Sequence, residues 1–238
     1  MTDALLLVPS AAEGARLRPP GARAAQPCHA ATLLIIRRDQ AKPRVLMGRR
    51  NGGHDFMPNL WVFPGGRVDR SDFRAPYATD LRPETAGMFE AHGRGGHGRA
   101  LAMAAVRETY EEAGLLLAKS AAPRAAPGPW GPFLAHGALP DLAALQIVAR
   151  AVTPAALVKR FDAWFLMAQA EHLISLERQP DCGELEEIAW VDFEDALSLP
   201  LPSVTRMVIA ETAHRLTEPQ RPSLFMRFRA GMMQQSHL

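Results

Sequence analysis

The chain has 238 residues, of which 47% are hydrophobic and 22% are charged. These fractions are ordinary for a soluble globular protein and argue against general disorder, a collagen-like repeat or a disulfide scaffold. The 27 basic and 25 acidic residues give a formal charge of +2, too close to balance to predict a general nucleic-acid-binding surface. The two cysteines, Cys28 and Cys182, have no CxxC spacing, so a zinc ribbon is excluded.

The sequence predicts a cytoplasmic protein without a membrane partner. No apolar run approaches the roughly 18 residues that a membrane span needs. The short apolar run at residues 5–8 has no basic stretch before it, which is untypical of a secretory signal. Residues 1–27 are rich in alanine and proline and predict a flexible leader, followed by one folded domain over residues 28–238.

Hydrophobic periodicity predicts strands and helices in chain order after this leader. A short helix is expected near residues 84–91, within a polar, glycine-rich segment, and a longer helix is expected over residues 99–117 with Gly114 as its C-cap. Ser203 is expected to cap the last predicted helix. The segment 224–238 fits either a partner contact or strands packed on the same domain. The predicted strands are 29–38, 44–50, 60–63, 145–152, 160–168 and 184–191, and the two later helices are 193–199 and 203–216.

Three glutamates on the longer predicted helix form the chemically most informative pattern. Glu108, Glu111 and Glu112 are three and four positions apart, so they project from one helical face within one turn. Like charges this close repel one another unless a cation lies between them, and oxygen-only ligands suit Mg²⁺ or Mn²⁺. A solvated acidic helix face remains the alternative for this spacing alone.

The residues around these glutamates resemble the Nudix box, whose form is G, five residues, E, seven residues, REUXEEXGU, with U a bulky apolar residue. Residues 107–115 read RETYEEAGL, and residues 63–69 read FPGGRVD, similar to the strand and Gly-Gly turn that open the motif. Asp72 stands where the family usually has glutamate. Arg107 lies 35 positions after Asp72, where the uninterrupted box has 8, so 27 residues are inserted at about 73–99.

The resemblance implies a Nudix fold, an α+β protein in which a central mixed β-sheet lies between helices in an α/β/α sandwich and carries a catalytic loop-helix-loop. It implies hydrolysis of a diphosphate linkage with Mg²⁺ or Mn²⁺ as cofactor. Glu111 and Glu112 would be the primary metal ligands, Glu108 a further ligand or the group that orients water, and Gly65 a ligand through its carbonyl. Supporting roles would fall to Gly66, Arg107 and Asp72.

A further carboxylate beyond the helix is expected to act as general base, with Glu184 the first candidate and Glu187 and Asp181 behind it. Arg49, Arg50 and Arg160 lie at strand ends, where guanidinium groups could bind substrate phosphates. The alternative for each is an exposed arginine. His54 and Phe56 are candidates for contact with a base, and the insertion is expected to serve as a lid or substrate wall.

An insertion within the box, together with the flanking sequences, resembles the subgroup that contains the peroxisomal coenzyme A diphosphohydrolases. Coenzyme A or an acyl-coenzyme A is therefore the expected small-molecule partner. An ADP-sugar, NADH or a nucleoside triphosphate is the alternative substrate, and a catalytically silent nucleotide sensor is the alternative class. A homodimer is possible, as the family often forms two-fold dimers.

Overall fold

A mixed β-sheet forms the centre of the computed structural model, which describes residues 16–53, 58–179, 185–229 and 232–238. Nine strands of the described chain belong to this sheet, and two short strands form a separate pair. The sheet strands are β1 (Cys28–Arg37), β2 (Arg44–Arg50), β3 (Trp61–Val62), β4 (Gly65–Arg67), β7 (Gln146–Val152), β8 (Phe161–Gln169), β9 (Leu185–Asp192), β10 (Leu224–Arg229) and β11 (Met232–His237), and the separate pair is β5 (Ala118–Ser120) and β6 (Ala138–Pro140). The helices are α1 (Pro83–Ala91), α2 (Gly95–Ala113), α3 (Trp130–Ala135), α4 (Phe193–Ala196) and α5 (Ser203–Thr217).

The strands follow the order β11-β10-β7-β8-β1-β2-β3, with β4 added to β1 and β9 added to β2. Strand β1 runs parallel to β8, and β7 runs parallel to β10, while the remaining pairs are antiparallel. This arrangement confirms the predicted α+β class with a central mixed sheet.

Helices cover both faces of the sheet because successive side chains of its central strand point in opposite directions. Ala31, Leu33 and Ile35 of β1 share one hydrophobic cluster with α2 and α3. Leu34 and Ile36 belong to a second cluster, which includes residues of α5. The predicted three-layer α/β/α arrangement is thereby confirmed.

The insertion folds against the sheet instead of forming a loop. Helix α1 lies where a short helix is expected, and α2 begins at Gly95, four residues before the predicted start. A Cβ atom on Gly98 would lie 2.8 Å from the ring of Phe89, so glycine permits α1 to approach α2 closely. The guanidinium group of Arg94 donates to the buried Asp162 of β8 and anchors the insertion.

Three local expectations are corrected or resolved by the structure. Ser203 is the first residue of α5 and not its cap, because the N-cap position belongs to Pro202 and has no side-chain hydrogen bond. The C-terminal segment forms the hairpin β10–β11 on its own sheet, beside β7. The end of the predicted leader also contacts the fold, since Leu17 pairs with Leu157. Among the described residues, no helix is long and apolar enough to span a bilayer.

Candidate active site

The Gly-Gly turn brings strand β4 against β1 and places the chain beside helix α2. Gly65 pairs with Thr32 and Gly66 with Ala31. A Cβ atom on Gly65 would lie 2.6 Å from the Thr32 Cα atom, so this strand pairing requires glycine. A Cβ atom on Gly66 would lie 2.4 Å from the Glu108 carboxylate. The two glycines thus serve different purposes, close strand pairing and room for a catalytic-motif side chain.

The buried guanidinium group of Arg107 connects the two halves of the motif. Its Nε and Nη2 atoms donate to the Asp72 carboxylate at 2.9 and 3.1 Å. Its Nη1 atom donates to Glu108 Oε1 and to Glu111 Oε2, both at 2.8 Å. Arg107 therefore fixes the rotamers of two glutamates on its own helix while joining that helix to the opposite end of the insertion.

Asp72 reaches Arg107 despite a side chain one methylene shorter than glutamate. It lies in a short 3₁₀ helix, Arg70–Phe73, which is capped by Asp69. Asp72 Oδ2 accepts a hydrogen bond from the Asp69 backbone N–H at 2.8 Å, and Oδ1 accepts one from the Trp130 indole N–H at 3.0 Å. Sequence reasoning missed Trp130, whose only signal is a large aromatic residue in a segment otherwise rich in proline and glycine.

Glu112 faces the glycine turn and not Arg107. Its Oε2 atom accepts a hydrogen bond from the Gly65 backbone N–H at 2.9 Å, and its Oε1 atom lies 3.9 Å from Arg50 Nη2. The Glu112 side chain is only 4% exposed. The third glutamate of the motif is consequently held by strands β2 and β4.

Burial and neighbouring charges shift the pKa values of Glu108 and Arg107, and in each group the two effects oppose each other. Burial raises the pKa of Glu108 above its ordinary value, and the charge of Arg107 acts against that rise. Burial acts to lower the pKa of Arg107, but hydrogen bonds to Asp72 and the charges of Glu108 and Glu111 outweigh it and raise that pKa. A carboxylate held partly against ionisation is stabilised in its charged form by a neighbouring cation.

The three glutamates line one side of a cavity of about 520 Å³ on the sheet face that carries α5. Its remaining wall is mostly aliphatic and aromatic and comes from β1, β3, β7, β8, the connection between β7 and β8, the β10–β11 hairpin and the first turn of α5. The apolar side chains of this wall include Val152, Leu157, Phe161, Phe165, Val204, Met226, Phe228 and Met233. Volume and lining are typical of a site for a small organic ligand that carries a charged group at one end.

Comparison with known proteins identifies the family. The NUDIX domain family matches residues 27–211, most of the chain. The chain belongs to the Nudix family. Among solved structures, a NUDIX hydrolase from Alicyclobacillus acidocaldarius is 29% identical over 78% of this chain and 90% of that one, with a TM-score of 0.61. The NUDIX domain of Shewanella oneidensis NrtR, complexed with ADP ribose, is 13% identical over 84% of this chain and 94% of that one, with a TM-score of 0.48. No curated protein matches the sequence.

The family and the hydrolase relative together identify the chain as a Nudix hydrolase, a diphosphatase of the pyrophosphatase type that acts on nucleoside diphosphate derivatives. Enzymes of this family generally use divalent metal ions. Three carboxylates on one turn of α2, all lining the same cavity, offer the oxygen donors that such ions prefer. Among the described residues, however, no three acidic or histidine side chains already stand as a complete ligand group. The Nudix carboxylates fit a divalent ion by donor type, and the hydrogen bonds from Arg107 to Glu108 and Glu111 set the present positions of two of them.

Only one of the three predicted phosphate-binding arginines lines the cavity of this Nudix hydrolase, namely Arg50. Arg49 lies outside it and pairs with Glu187 at 3.2 Å. Arg160 also lies outside it and donates to the carbonyl oxygens of Thr153 and Ala25. Both guanidinium groups bond to other protein groups in this structure, and their contact with substrate phosphates stays a prediction. Lys159, missed in the sequence, does line the cavity.

The other predicted site features are four residues outside the described part of the chain and the insertion, which lies away from the cavity. The predicted base candidates Glu184 and Asp181 and the loop residues His54 and Phe56 lie outside the described residues. The described residues of the insertion do not line the cavity, which argues against its expected role as lid or substrate wall. Its helices pack on the opposite face of the sheet, in the cluster that contains α2.

Proposed function

We propose that this Nudix hydrolase cleaves the diphosphate linkage of coenzyme A or an acyl-coenzyme A, with Mg²⁺ or Mn²⁺ as its ion. The observation that carries this proposal is the pairing of two unlike surfaces in one cavity. Carboxylates of α2 stand at one side, and an apolar wall from the sheet and the C-terminal hairpin stands at the other. Such a cavity suits a diphosphate that is joined to bulky, partly apolar groups. The insertion within the Nudix box also supports this substrate class.

In the proposed site, Glu111 and Glu112 bind the metal ion, and Glu108 binds it or orients the attacking water. A bound divalent ion would neutralise charge on the diphosphate. Arg50, 3.9 Å from Glu112, is positioned to contact a phosphate oxygen at the same place. Arg107 holds the carboxylates of Glu108 and Glu111, and Gly66 leaves the space that Glu108 fills. The Gly65 carbonyl remains a predicted ligand.

Residues 28–238 are proposed to act as one catalytic domain. Both halves of the Nudix motif meet at Arg107 and Asp72, and the cavity draws on strands from β1 to β11. A boundary within the insertion would separate groups that share one site.

A substrate panel tests the function directly. Coenzyme A, acetyl- and octanoyl-coenzyme A, ADP-ribose, NADH and a nucleoside triphosphate are each incubated with enzyme and Mg²⁺ or Mn²⁺, and products are identified by mass spectrometry. We expect two phosphate-bearing products from a coenzyme A substrate, with turnover of the others much slower. Fastest turnover of ADP-ribose, NADH or a triphosphate would refute the substrate class. Tight binding without turnover of any would identify a nucleotide sensor.

The metal assignment is tested by Glu112→Gln, which keeps the side-chain shape and removes its charge. Most turnover is expected to be lost with the fold intact, because the ion loses a charged oxygen ligand. Glu211→Gln is the matched control, because Glu211 is also buried but pairs with Arg221 at a distance from the Nudix motif. Near-normal turnover by Glu112→Gln would contradict the assignment.

Glu184 is proposed as general base and Glu187 is the comparison. Glu184→Gln should lower kcat, with the loss greatest at neutral and higher pH, where the carboxylate of the unmodified protein is ionised, and smallest at low pH, where that carboxylate is protonated. Glu187→Gln should leave kcat unchanged, because Glu187 pairs with Arg49 outside the cavity. The reverse result would reassign the base.

A further inference from the structure

Within the described part of the chain, the carboxylate of Asp72 accepts four hydrogen bonds, two from Arg107 and two from neutral donors. Oδ1 accepts from Arg107 Nε at 2.9 Å and from Trp130 Nε1 at 3.0 Å. Oδ2 accepts from Arg107 Nη2 at 3.1 Å and from the Asp69 backbone N–H at 2.8 Å. The Asp72 side chain is fully buried. Each oxygen is thus held between Arg107 on one side and a neutral donor on the other, which fixes the position of this short side chain.

Trp130 reaches Asp72 from the segment between β5 and β6, 58 positions further along the chain. Its ring meets Phe133 edge-on at 5.2 Å, and Phe133 meets Tyr110 of α2 at 5.5 Å. The Tyr110 hydroxyl and His136 Nε2 are 2.9 Å apart. The segment therefore contacts α2 at the residue before Glu111 and contacts the carboxylate that holds Arg107.

We propose that Trp130 is a positioning residue of the metal site, and the proposal rests on the proposed function. Its indole N–H fixes Asp72, Asp72 fixes the Arg107 guanidinium group, and Arg107 fixes the carboxylates of Glu108 and Glu111. The indole compensates for the methylene that aspartate lacks, because it holds the shorter carboxylate at the distance where Arg107 bonds to it with two nitrogens. Groups that hydrogen-bond to metal ligands and fix their orientation change the affinity for the metal ion without touching it.

A second tryptophan provides an internal comparison. Trp164 on β8 is fully buried, and its Nε1 atom has no hydrogen-bond partner among the described residues. It packs against Phe89 at 4.7 Å, and it does not line the cavity. Replacing either tryptophan by phenylalanine removes the same atoms from a buried site, but only at Trp130 does it remove a donor that serves Asp72.

The experiment compares Mn²⁺ binding to Trp130→Phe and Trp164→Phe, measured by electron paramagnetic resonance without substrate. We expect Trp130→Phe to bind Mn²⁺ about tenfold more weakly, at the low end of the range for such outer groups. Trp164→Phe should bind as the unmodified protein does, although both variants lose thermal stability by packing defects. With substrate, Trp130→Phe should lower kcat and leave KM for the diphosphate unchanged.

A double-mutant cycle tests whether the effect passes through Asp72. In the background of Asp72→Asn, Trp130→Phe should cause little further loss of Mn²⁺ affinity, because the charged link to Arg107 is already broken. Unchanged Mn²⁺ affinity of Trp130→Phe, or full additivity with Asp72→Asn, would overturn the proposal. If Trp130→Phe does not fold, benzothienylalanine at position 130 keeps the ring shape and replaces the N–H by sulfur, and the same comparison applies. Because Mn²⁺ binding needs no substrate, a wrong substrate class and a wrong role for Trp130 give different results.

Discussion

Replacement of Gly66 by alanine is the sharpest test of how the turn and the helix share the site. The added Cβ atom would lie 2.4 Å from Glu108 Cδ and Oε1, and 2.6 Å from Oε2. Ordinary contact begins at 3.4 Å, so the Glu108 carboxylate must retreat by about 1 Å. A movement of this size disturbs the hydrogen bond that Glu108 Oε1 now accepts from Arg107 Nη1 at 2.8 Å.

A displacement of about 1 Å in an active site can lower the rate about 10²-fold, which corresponds to about 2.7 kcal/mol of lost transition-state stabilisation. The free energy of unfolding should fall by about 1 to 3 kcal/mol, as expected for an added methyl group in a packed region. The fold should survive because the obstructing atoms belong to a side chain and not to backbone.

The assay measures kcat with the best substrate of the panel and, separately, urea unfolding. Gly96→Ala is the control, since Gly96 lies in the same helix as Glu108 and has nothing within 4 Å of its would-be Cβ atom. Unchanged kcat in Gly66→Ala would refute the reasoning, because it would show that Glu108 can move without consequence. Equal loss in both variants would attribute the effect to general destabilisation.

Other changes have distinct expected signatures. Gly65→Ala should abolish folding, measured by circular dichroism, because its Cβ atom meets β1 backbone at 2.6 Å; a folded variant would show that β4 can leave β1. Arg107→Met should lower the free energy of unfolding by about 3 to 5 kcal/mol, because the buried Asp72 carboxylate loses its cation. A loss well below this range would contradict the conclusion that Arg107 joins the two halves of the motif. Burial acts to raise the pKa of Asp162, but hydrogen bonds from Arg150 and Arg94 outweigh this effect, so the pKa lies below the ordinary value of an aspartate. Asp162 therefore contributes stability above about pH 4 that is lost as pH falls through its lower folded-state pKa, and Asp162→Asn should flatten this acid limb of stability against pH.

Local sequence signals were sufficient wherever structure depends on neighbours along the chain. Strand β2 has the predicted bounds, Arg44–Arg50, because alternation and turn residues define it. Helix α2 ends before Gly114, whose φ of +70° suits glycine, as the C-cap signal predicts, and does not continue to the predicted end at residue 117. Its start was misplaced because three glycines at 95, 96 and 98 read as loop, whereas packing against Phe89 keeps that turn helical.

Features that depend on register or on distant packing could not be read from the sequence. Arg49 and Arg50 are neighbours on β2, and the register of its pairing with β9 shifts between them. The hydrophobic periodicity of the sequence does not predict this shift. Arg50 reaches the cavity, whereas Arg49 meets Glu187. Trp130 meets Asp72 across 58 positions, a contact that no spacing rule contains. The glutamates of α2 were predictable because their chemistry resides in one helical turn.

The ion pair between Arg107 and Asp72 has a consequence for how such motifs diversify. It joins the two halves of the Nudix motif through space, across a segment that packs on the far side of the sheet and is anchored there by Arg94 and Asp162. The closure entropy of a loop rises only slowly with its length. Closure entropy alone therefore does not oppose a long segment between the halves, and this segment must keep its packing on the sheet and return Arg107 to Asp72. A search for relatives of this enzyme should allow a variable gap between the halves and require instead a buried carboxylate that can meet the arginine.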